Sequence, residues 1–446
     1  MHAPNLHLMF LVLLWSIMVL TNSWKFKSPI LPPTVKIEKK CIKSISSMVG
    51  ILVSIIGNVP DIHLPEGRIT FINSAKADEV RMGALADVGI KEFLVKDGRQ
   101  FLRLSIPLAE NGKFIIKNSQ TSKKSPSLAI YEAAELLELA RLRFEQVGVT
   151  NPSAWGSALN DVNSALSIIK SNKEYLLSPS AQCAEIFESQ LLVHLTQLAD
   201  ALRAKSVDRA LASQEEAASA LAALRLAQLP PHKLPFEVPE EYQTLPRLNG
   251  RATVEMKISS KTGFRLPDGQ SVVPTAMLQL QLDGYHAPLT AGNFLALVKD
   301  GYYDNMPFQK VQELFVQTGT SPDQKKKPAR TVPLELFYKT DSEPTYGSTS
   351  DDDMRATDAP ILPFQAFGAL GMARDNEVAD SADTQFFFLK WKQALIAPGR
   401  NTLDGFYSCF GYVTDNEQLL SQVNADTDRI VYAKIVSGLD NLQLKP

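Results

Sequence analysis

Residues 287–319 read APLTAGNFLALVKDGYYDNMPFQKVQELFVQTG. Within them Pro288, Asn293, Phe294, Tyr302, Tyr303, Asp304, Phe308, Val311, Gln317 and Gly319 form an ordered motif. It has a Pro-x-x-x-x-Asn-Phe entry, a Tyr-Tyr-Asp turn, a Phe-x-x-Val step and a closing Gln-x-Gly. Three further blocks follow in order: FGALGMAR at 367–374, TQFFF at 384–388 and LDGFYSCFG at 403–411. A chance chain can supply any one of these blocks. It does not supply four in series over residues 250–446.

The series resembles the cyclophilins, the prolyl cis/trans isomerases. The resemblance implies a closed antiparallel β-barrel capped by helices and a groove for proline-containing segments of client proteins. The chain departs from the family pattern at several site positions. Lys310 stands where the family has its catalytic arginine, with Gln309 at the preceding histidine. Thr402 replaces a tryptophan, Tyr407 a histidine, and Arg374 the asparagine after Met-Ala.

Such chemistry needs no nucleophile. Amide resonance sets a barrier of about 18–20 kcal/mol, and uncatalysed X-Pro exchange takes roughly tens to hundreds of seconds. A catalyst must hold the proline ring in an apolar pocket and aim a donor at the bond, which is transition-state electrostatics. By resemblance, Leu314, Phe315, Phe387 and Leu403 line that pocket, with Ala373 in its floor and Tyr407 beside it. Gln317 and Gln385 bond the substrate backbone, and Lys310 is the donor. Lysine keeps the charge but lacks arginine's planar five-donor fork. Phe386, Phe388 and Phe410 are expected in the barrel core.

Composition excludes several other classes. The chain is 45% hydrophobic and 21% charged, an ordinary globular balance at a length that suits two or three domains. Its three cysteines, Cys41, Cys183 and Cys409, are too scattered for a disulfide framework or a zinc site, and its six histidines are dispersed. No phosphate-binding or dinucleotide glycine pattern occurs, so neither metal nor cofactor is expected.

Residues 1–77 read as a removable targeting leader. An apolar run at Leu6–Leu20 suits a signal peptide. A basic stretch follows, with Lys25, Lys27, Lys36, Lys39, Lys40 and Lys43 against Glu38 alone. A second apolar run, Ile45–Val59, precedes Ala75-Lys76-Ala77, a cleavage-like pattern. This layering resembles entry into a secondary plastid with onward passage to the thylakoid lumen. Of the 46 basic and 48 acidic residues, cleavage removes eight and three, leaving 38 against 45. That net charge near −7 argues against nucleic acid as a partner.

Residues 78–235 read as a helical bundle with a short β preface. Glu92–Val95 and Arg99–Ile106 flank Asp97-Gly98, a hairpin dipeptide, and Phe114–Lys117 suggests a third strand. Leu128–Val147 places Leu128, Tyr131, Leu136, Leu139 and Leu142 at helical steps. Trp155–Lys170 repeats the pattern, Ser178-Pro179 opens a helix to about Ala204, and Val207–Leu226 is alanine-rich. Four such helices suggest a bundle.

A proline-rich linker at 236–249 leads into the string PRLNGRATV, residues 246–254, and a β-domain at 250–446. This junction resembles that of the large thylakoid-lumen cyclophilins. The subgroup implies folding or assembly of photosynthetic membrane complexes, photosystem II above all. The long connection after Gly319 carries Lys325–Lys327 and Asp351–Asp353, read as solvated loop, and is expected to form a subgroup-specific surface. Two functions stay open: an isomerase that uses Lys310, and a scaffold that grips proline-containing loops without turning them over.

Overall fold

Ala252, Val254, Met256 and Ile258 are buried, while Arg251, Thr253, Glu255 and Lys257 between them are half-exposed. This period-two pattern is what a strand with one core face requires. In a computed structural model the strand is β1, Arg251–Arg265. The structure describes residues 62–64, 67–69, 97–116, 125–147, 151–178, 180–266, 269–322, 330–355, 358–390, 403–425 and 427–444. Residues Met1–Ala77 and Asp78–Pro446 are two separate units. In the first, Ile62–Leu64 pairs antiparallel with Gly67–Ile69. The leader's apolar runs, its basic stretch and its cleavage pattern lie outside the described residues, as does the expected strand at Glu92–Val95.

In the second unit β1 joins seven more strands: β2 (Val272–Asp283), β3 (Met306–Val311), β4 (Phe315–Thr318), β5 (Ala369–Met372), β6 (Phe386–Leu389), β7 (Cys409–Asp415) and β8 (Arg429–Ser437). They close a barrel in the order β5-β6-β4-β3-β8-β1-β2-β7. Every described pairing in it is antiparallel. Helix α6, Pro288–Lys299, packs beside the barrel and sends Phe294 into the core, against Phe386 at 4.9 Å, Tyr303 at 5.1 Å and Phe410 at 5.2 Å.

Among its described residues the helical part has five helices of seven residues or more: α1 (Gly98–Leu104), α2 (Pro126–Leu142), α3 (Ser153–Ser171), α4 (Leu192–Arg203) and α5 (Val207–Ala227). Ser125 caps α2, with Pro126 at its first position. A short helix Ala181–Glu185 and a π-turn Ile186–Leu191 lead into α4. Small and apolar residues such as Ala158, Val162, Ile169, Leu195, Leu198 and Leu221 fill the interior.

The β preface is corrected in one respect. Arg99–Ile106 is not a strand. Asp97 caps α1, its side chain accepting from the Arg99 N–H at 2.9 Å, and Phe101 and Leu102 on α1 are buried. Asp-Gly serves here as a helix start. The hairpin lies further on, Leu108–Glu110 against Lys113–Ile115, turning at Asn111 and Gly112. Both turn residues have positive φ, 50° and 70°, as a tight Asn-Gly turn demands.

Helix α1 joins the bundle to the barrel. Arg251 Nη2 donates to the Leu102 carbonyl at 2.6 Å, to Ser105 Oγ at 3.0 Å and to Asp283 Oδ2 at 2.8 Å. Burial alone would raise Asp283, but Arg251 and His286 outweigh it and hold the carboxyl below its usual range. The linker is docked as well. Phe236 meets Phe337 edge-on at 5.5 Å, and Arg247–Leu248 pairs with Leu442–Gln443.

Candidate functional site

Strand register places the candidate residues in a row. Lys310 on β3 lies opposite Gln317 on β4, Gln317 opposite Phe387 on β6, and Phe387 opposite Gly371 on β5. Opposed residues of antiparallel strands share a face, and this row is on the outside of the barrel. The neighbouring inner row runs Phe308, Thr318, Phe386 and Met372, all buried.

Phe308 and Lys310 are two apart, so plain alternation would put them on one face. A register shift between them makes Gln309 an extra residue, and Lys310 turns outward. Such bulges re-aim a side chain. Lys310 is exposed, and its ammonium has no ion pair among the described residues. Gln309 Nε2 donates to the Thr320 carbonyl at 2.8 Å instead of entering the site.

The apolar part lies at the other end of the row. The Phe387 ring is 5% exposed and packs with Phe315, Ala373, Leu403 and Tyr407 in one cluster. Phe315 lies 6.0 Å away, and Tyr407 meets the ring edge-on at 5.5 Å. A Cβ on Gly371 would fall 2.1 Å from Phe387 Cζ, so the ring tip occupies the space a side chain would take. Gly371 stands at the serine of the family's G-x-L-S-M-A-N string, and motif matching alone gave it no role.

Between the two ends sit the amides, Gln317 Nε2 donating to Gln385 Oε1 at 3.0 Å. The Ala373 N–H donates to the Gln385 carbonyl at 2.9 Å, which ties the floor to β6. Leu314 is 43% exposed in the turn between β3 and β4, outside the apolar cluster. Arg374 Nε donates to the Phe406 carbonyl at 2.7 Å, and its guanidinium lies 5.6 Å from the Tyr407 ring centroid. The Tyr407 hydroxyl donates to Asn376 Oδ1 at 3.1 Å. Thr402 and Lys325–Lys327 lie outside the described residues. Asp351 and Asp352 are exposed, and Asp352 accepts from Thr349.

Among the described residues no cluster of His, Cys, Asp or Glu can hold a metal ion. A cavity of about 480 Å³ lies elsewhere, between α1, the hairpin, α2 and the loop residues His286, Phe337 and Lys339. The outer face therefore offers an exposed cation, a pair of amides and a ring-lined apolar patch along one row.

Residues 272–442 match the family model described as cyclophilin type peptidyl-prolyl cis-trans isomerase/CLD. With an eight-stranded barrel and this outer face, the chain belongs to the cyclophilin family of peptidyl-prolyl cis-trans isomerases. Its similarity extends beyond the barrel. A putative thylakoid lumen peptidyl-prolyl cis-trans isomerase of Synechocystis is 34% identical over 320 residues, covering 68% of this chain and 80% of that protein. The chloroplastic isomerase CYP38 of Arabidopsis thaliana is 30% identical over 415 residues, covering 91% and 86%. The chloroplastic CYP37 of the same plant is 30% identical over 332 residues, covering 72% and 68%.

Proposed function

We propose that this protein binds proline-containing segments of client proteins on the outer face of β3–β4–β6–β5 and turns over their X-Pro bonds. The observation that carries this reading is the cross-sheet row of Lys310, Gln317 and Phe387, which sets a cation, an amide and a ring in line. Phe387, Phe315, Ala373, Leu403 and Tyr407 would hold the proline ring. Gln317 and Gln385 would bond the peptide backbone, and Leu314 would extend the apolar rim. The Lys310 ammonium would donate to the prolyl nitrogen as it pyramidalises, which takes its lone pair out of amide resonance as the bond turns. No cofactor enters the reaction.

The relatives' names support a plastid setting, with the thylakoid lumen as the compartment. Clients are proposed to be subunits of photosynthetic membrane complexes, photosystem II among them. Among the described residues no helix is long and apolar enough to cross a membrane. A second reading, a scaffold that grips proline loops without turnover, is favoured by one observation: Lys310 presents a single ammonium where the family has a guanidinium.

The deciding measurement is NMR exchange of an X-Pro peptide with the full chain and its Lys310→Ala and Lys310→Arg variants. Turnover that falls on the order of 10²-fold in Lys310→Ala, with unchanged melting temperature, supports the isomerase. Peptide binding with no exchange in the wild type, and exchange gained in Lys310→Arg, supports the scaffold. A wild type that neither binds nor exchanges the peptide overturns both.

A further inference from the structure

The connection between Gly319 and β5 reads in sequence as a surface insertion, yet Val332, Leu336, Tyr338, Leu362, Phe364 and Ala366 within it are buried. Leu362, Phe364 and Ala366 pack in the cluster of Phe387, Leu403 and Tyr407, the wall of the candidate pocket, while Val332 packs in the barrel core and Leu336 and Tyr338 with each other. Leu403 and Tyr407 belong to the segment Leu403–Ser408, and the insertion holds that segment at three points. The Phe364 N–H donates to Asp404 Oδ1 at 2.8 Å. The Ser350 N–H donates to the Gly405 carbonyl at 2.9 Å. The Glu335 N–H donates to Ser408 Oγ at 2.8 Å.

Phe364 also reaches the pocket ring itself. Its ring stacks on Phe387 at 5.6 Å with 21° between planes, while Tyr407 meets the same ring at 87°. With Gly371 beneath the ring tip and Phe315 at 6.0 Å, Phe387 is held by four neighbours from four parts of the chain. Aromatic pairs in these geometries contribute roughly 0.5–1.5 kcal/mol beyond the area they bury. Phe364 is 3% exposed, so it acts on a bound peptide through Phe387 and the wall rather than by touching it.

We propose that the segment Val332–Ala366 is a positioning element for the peptide face. In this role Phe364 fixes the Phe387 ring and the Leu403–Ser408 wall in the arrangement that accepts a proline ring. This rests on the proline-binding reading above. A residue that shapes the pocket without contacting the reacting bond sets affinity for the ring more than the rate at saturation.

The test is titration of the full chain with the peptide succinyl-Ala-Ala-Pro-Phe, with NMR giving Kd and the exchange rate at saturation. Wild type, Phe364→Ala and Phe364→Leu are compared, and hydrogen exchange of the Leu403–Ser408 amides is followed in each. The expected result is a Kd about tenfold higher in Phe364→Ala, equivalent to about 1.4 kcal/mol. The rate at saturation stays within about threefold, and Phe364→Leu recovers most of the affinity. Faster amide exchange in Phe364→Ala is expected to concentrate in Leu403–Ser408.

Wild-type affinity in a folded Phe364→Ala overturns the proposal. So does a loss of affinity with unchanged Leu403–Ser408 amides. If Phe364→Ala does not fold, Phe364→Val carries the test: weaker binding with faster Leu403–Ser408 exchange is expected, and wild-type affinity with wild-type amide exchange overturns the proposal. If the wild type binds no peptide, the proline-binding reading fails on its own. Amide exchange then decides the positioning role, acceleration confined to Leu403–Ser408 upholding it and no change overturning it.

Discussion

The two faces of β4, β6 and β5 arise from one alternation and are completed by different parts of the chain. Inside, Phe386 and Phe388 join Phe294 and Phe410 in a core whose buried members all lie between Leu248 and Ala433. Outside, Phe387 and Leu389 pack with Phe364 of the insertion and with Phe101 and Leu102 on α1 of the helical part. The inner core is built mostly from the barrel and α6, with Val332 the insertion's contribution to it. The outer cluster recruits distant segments at one end and leaves Lys310 and Gln317 open at the other. A barrel can thus keep its fold while its outer face is rebuilt, because the two sets of side chains share strands but few neighbours.

The sharpest way to break that contrast is Phe386→Ala. Removing a fully buried ring from the shared core should cost about 4 kcal/mol of stability, read by denaturant unfolding. Both faces should fail together, since β6 carries each. A loss below about 1 kcal/mol would mean that the inner core is not what holds the sheet. The Lys310 variants of the outer face should, by contrast, leave stability unchanged.

Next in size is Arg251→Ala at the join of bundle and barrel. It leaves Asp283, fully buried, without its main cation and frees the Leu102 carbonyl and Ser105. The expected cost is about 3 kcal/mol at neutral pH. Because the Asp283 carboxyl is held below its usual range, its contribution is present above about pH 3.8 and is lost on acidification through its lowered value. Calorimetry should show the helical part separating from the barrel, as two transitions in place of one. A single unshifted transition would refute a coupling role for α1.

The barrel and the helices were legible because their signals are local. The motif blocks fall on α6, β3, β4, β5, β6 and the approach to β7, and the apolar steps of 128–147, 155–170 and 207–226 fall on helices. Asp97-Gly98 misled because the same dipeptide opens either a hairpin or a helix, and long-range packing decides between them. Gly98 is packed so closely that a Cβ would lie 2.5 Å from Tyr412 Cβ, more than 300 residues on. The outward turn of Lys310 depends on a bulge, which alternation does not announce. Phe364 carries no motif; only the fold brings it onto Phe387. A signal for Gly371 was present, as glycine in place of the family serine, but its meaning needs the ring above it.

The narrowest effect, confined to a window of pH, concerns the residue where the two faces meet. Helix α6 supplies Phe294 to the inner core, yet Ala287 at its start makes no side-chain cap. Glu335 does the capping from the insertion: its carboxylate accepts from the Leu289 N–H at 3.2 Å, the Thr290 N–H at 3.0 Å and the Thr290 hydroxyl at 2.8 Å. Its own N–H holds Ser408 on the outer wall. Burial pushes its carboxyl up to about 7, against the donors of Thr290 and Leu289. A raised value means that the folded state holds the proton more tightly than the unfolded one. The stabilisation is then complete below about pH 4.5 and is lost as pH rises through about 7. Relative to Glu335→Gln, which has no such proton, the wild type should lose about 3 kcal/mol between pH 4.5 and 8. Amide exchange at Leu403–Ser408 should quicken over the same range, since the wall and the α6 cap share one residue. A stability difference that stays flat from pH 4.5 to 8 would mean that the helix start keeps the carboxylate ionised throughout. Protonation at Glu335 would then couple neither face to the other.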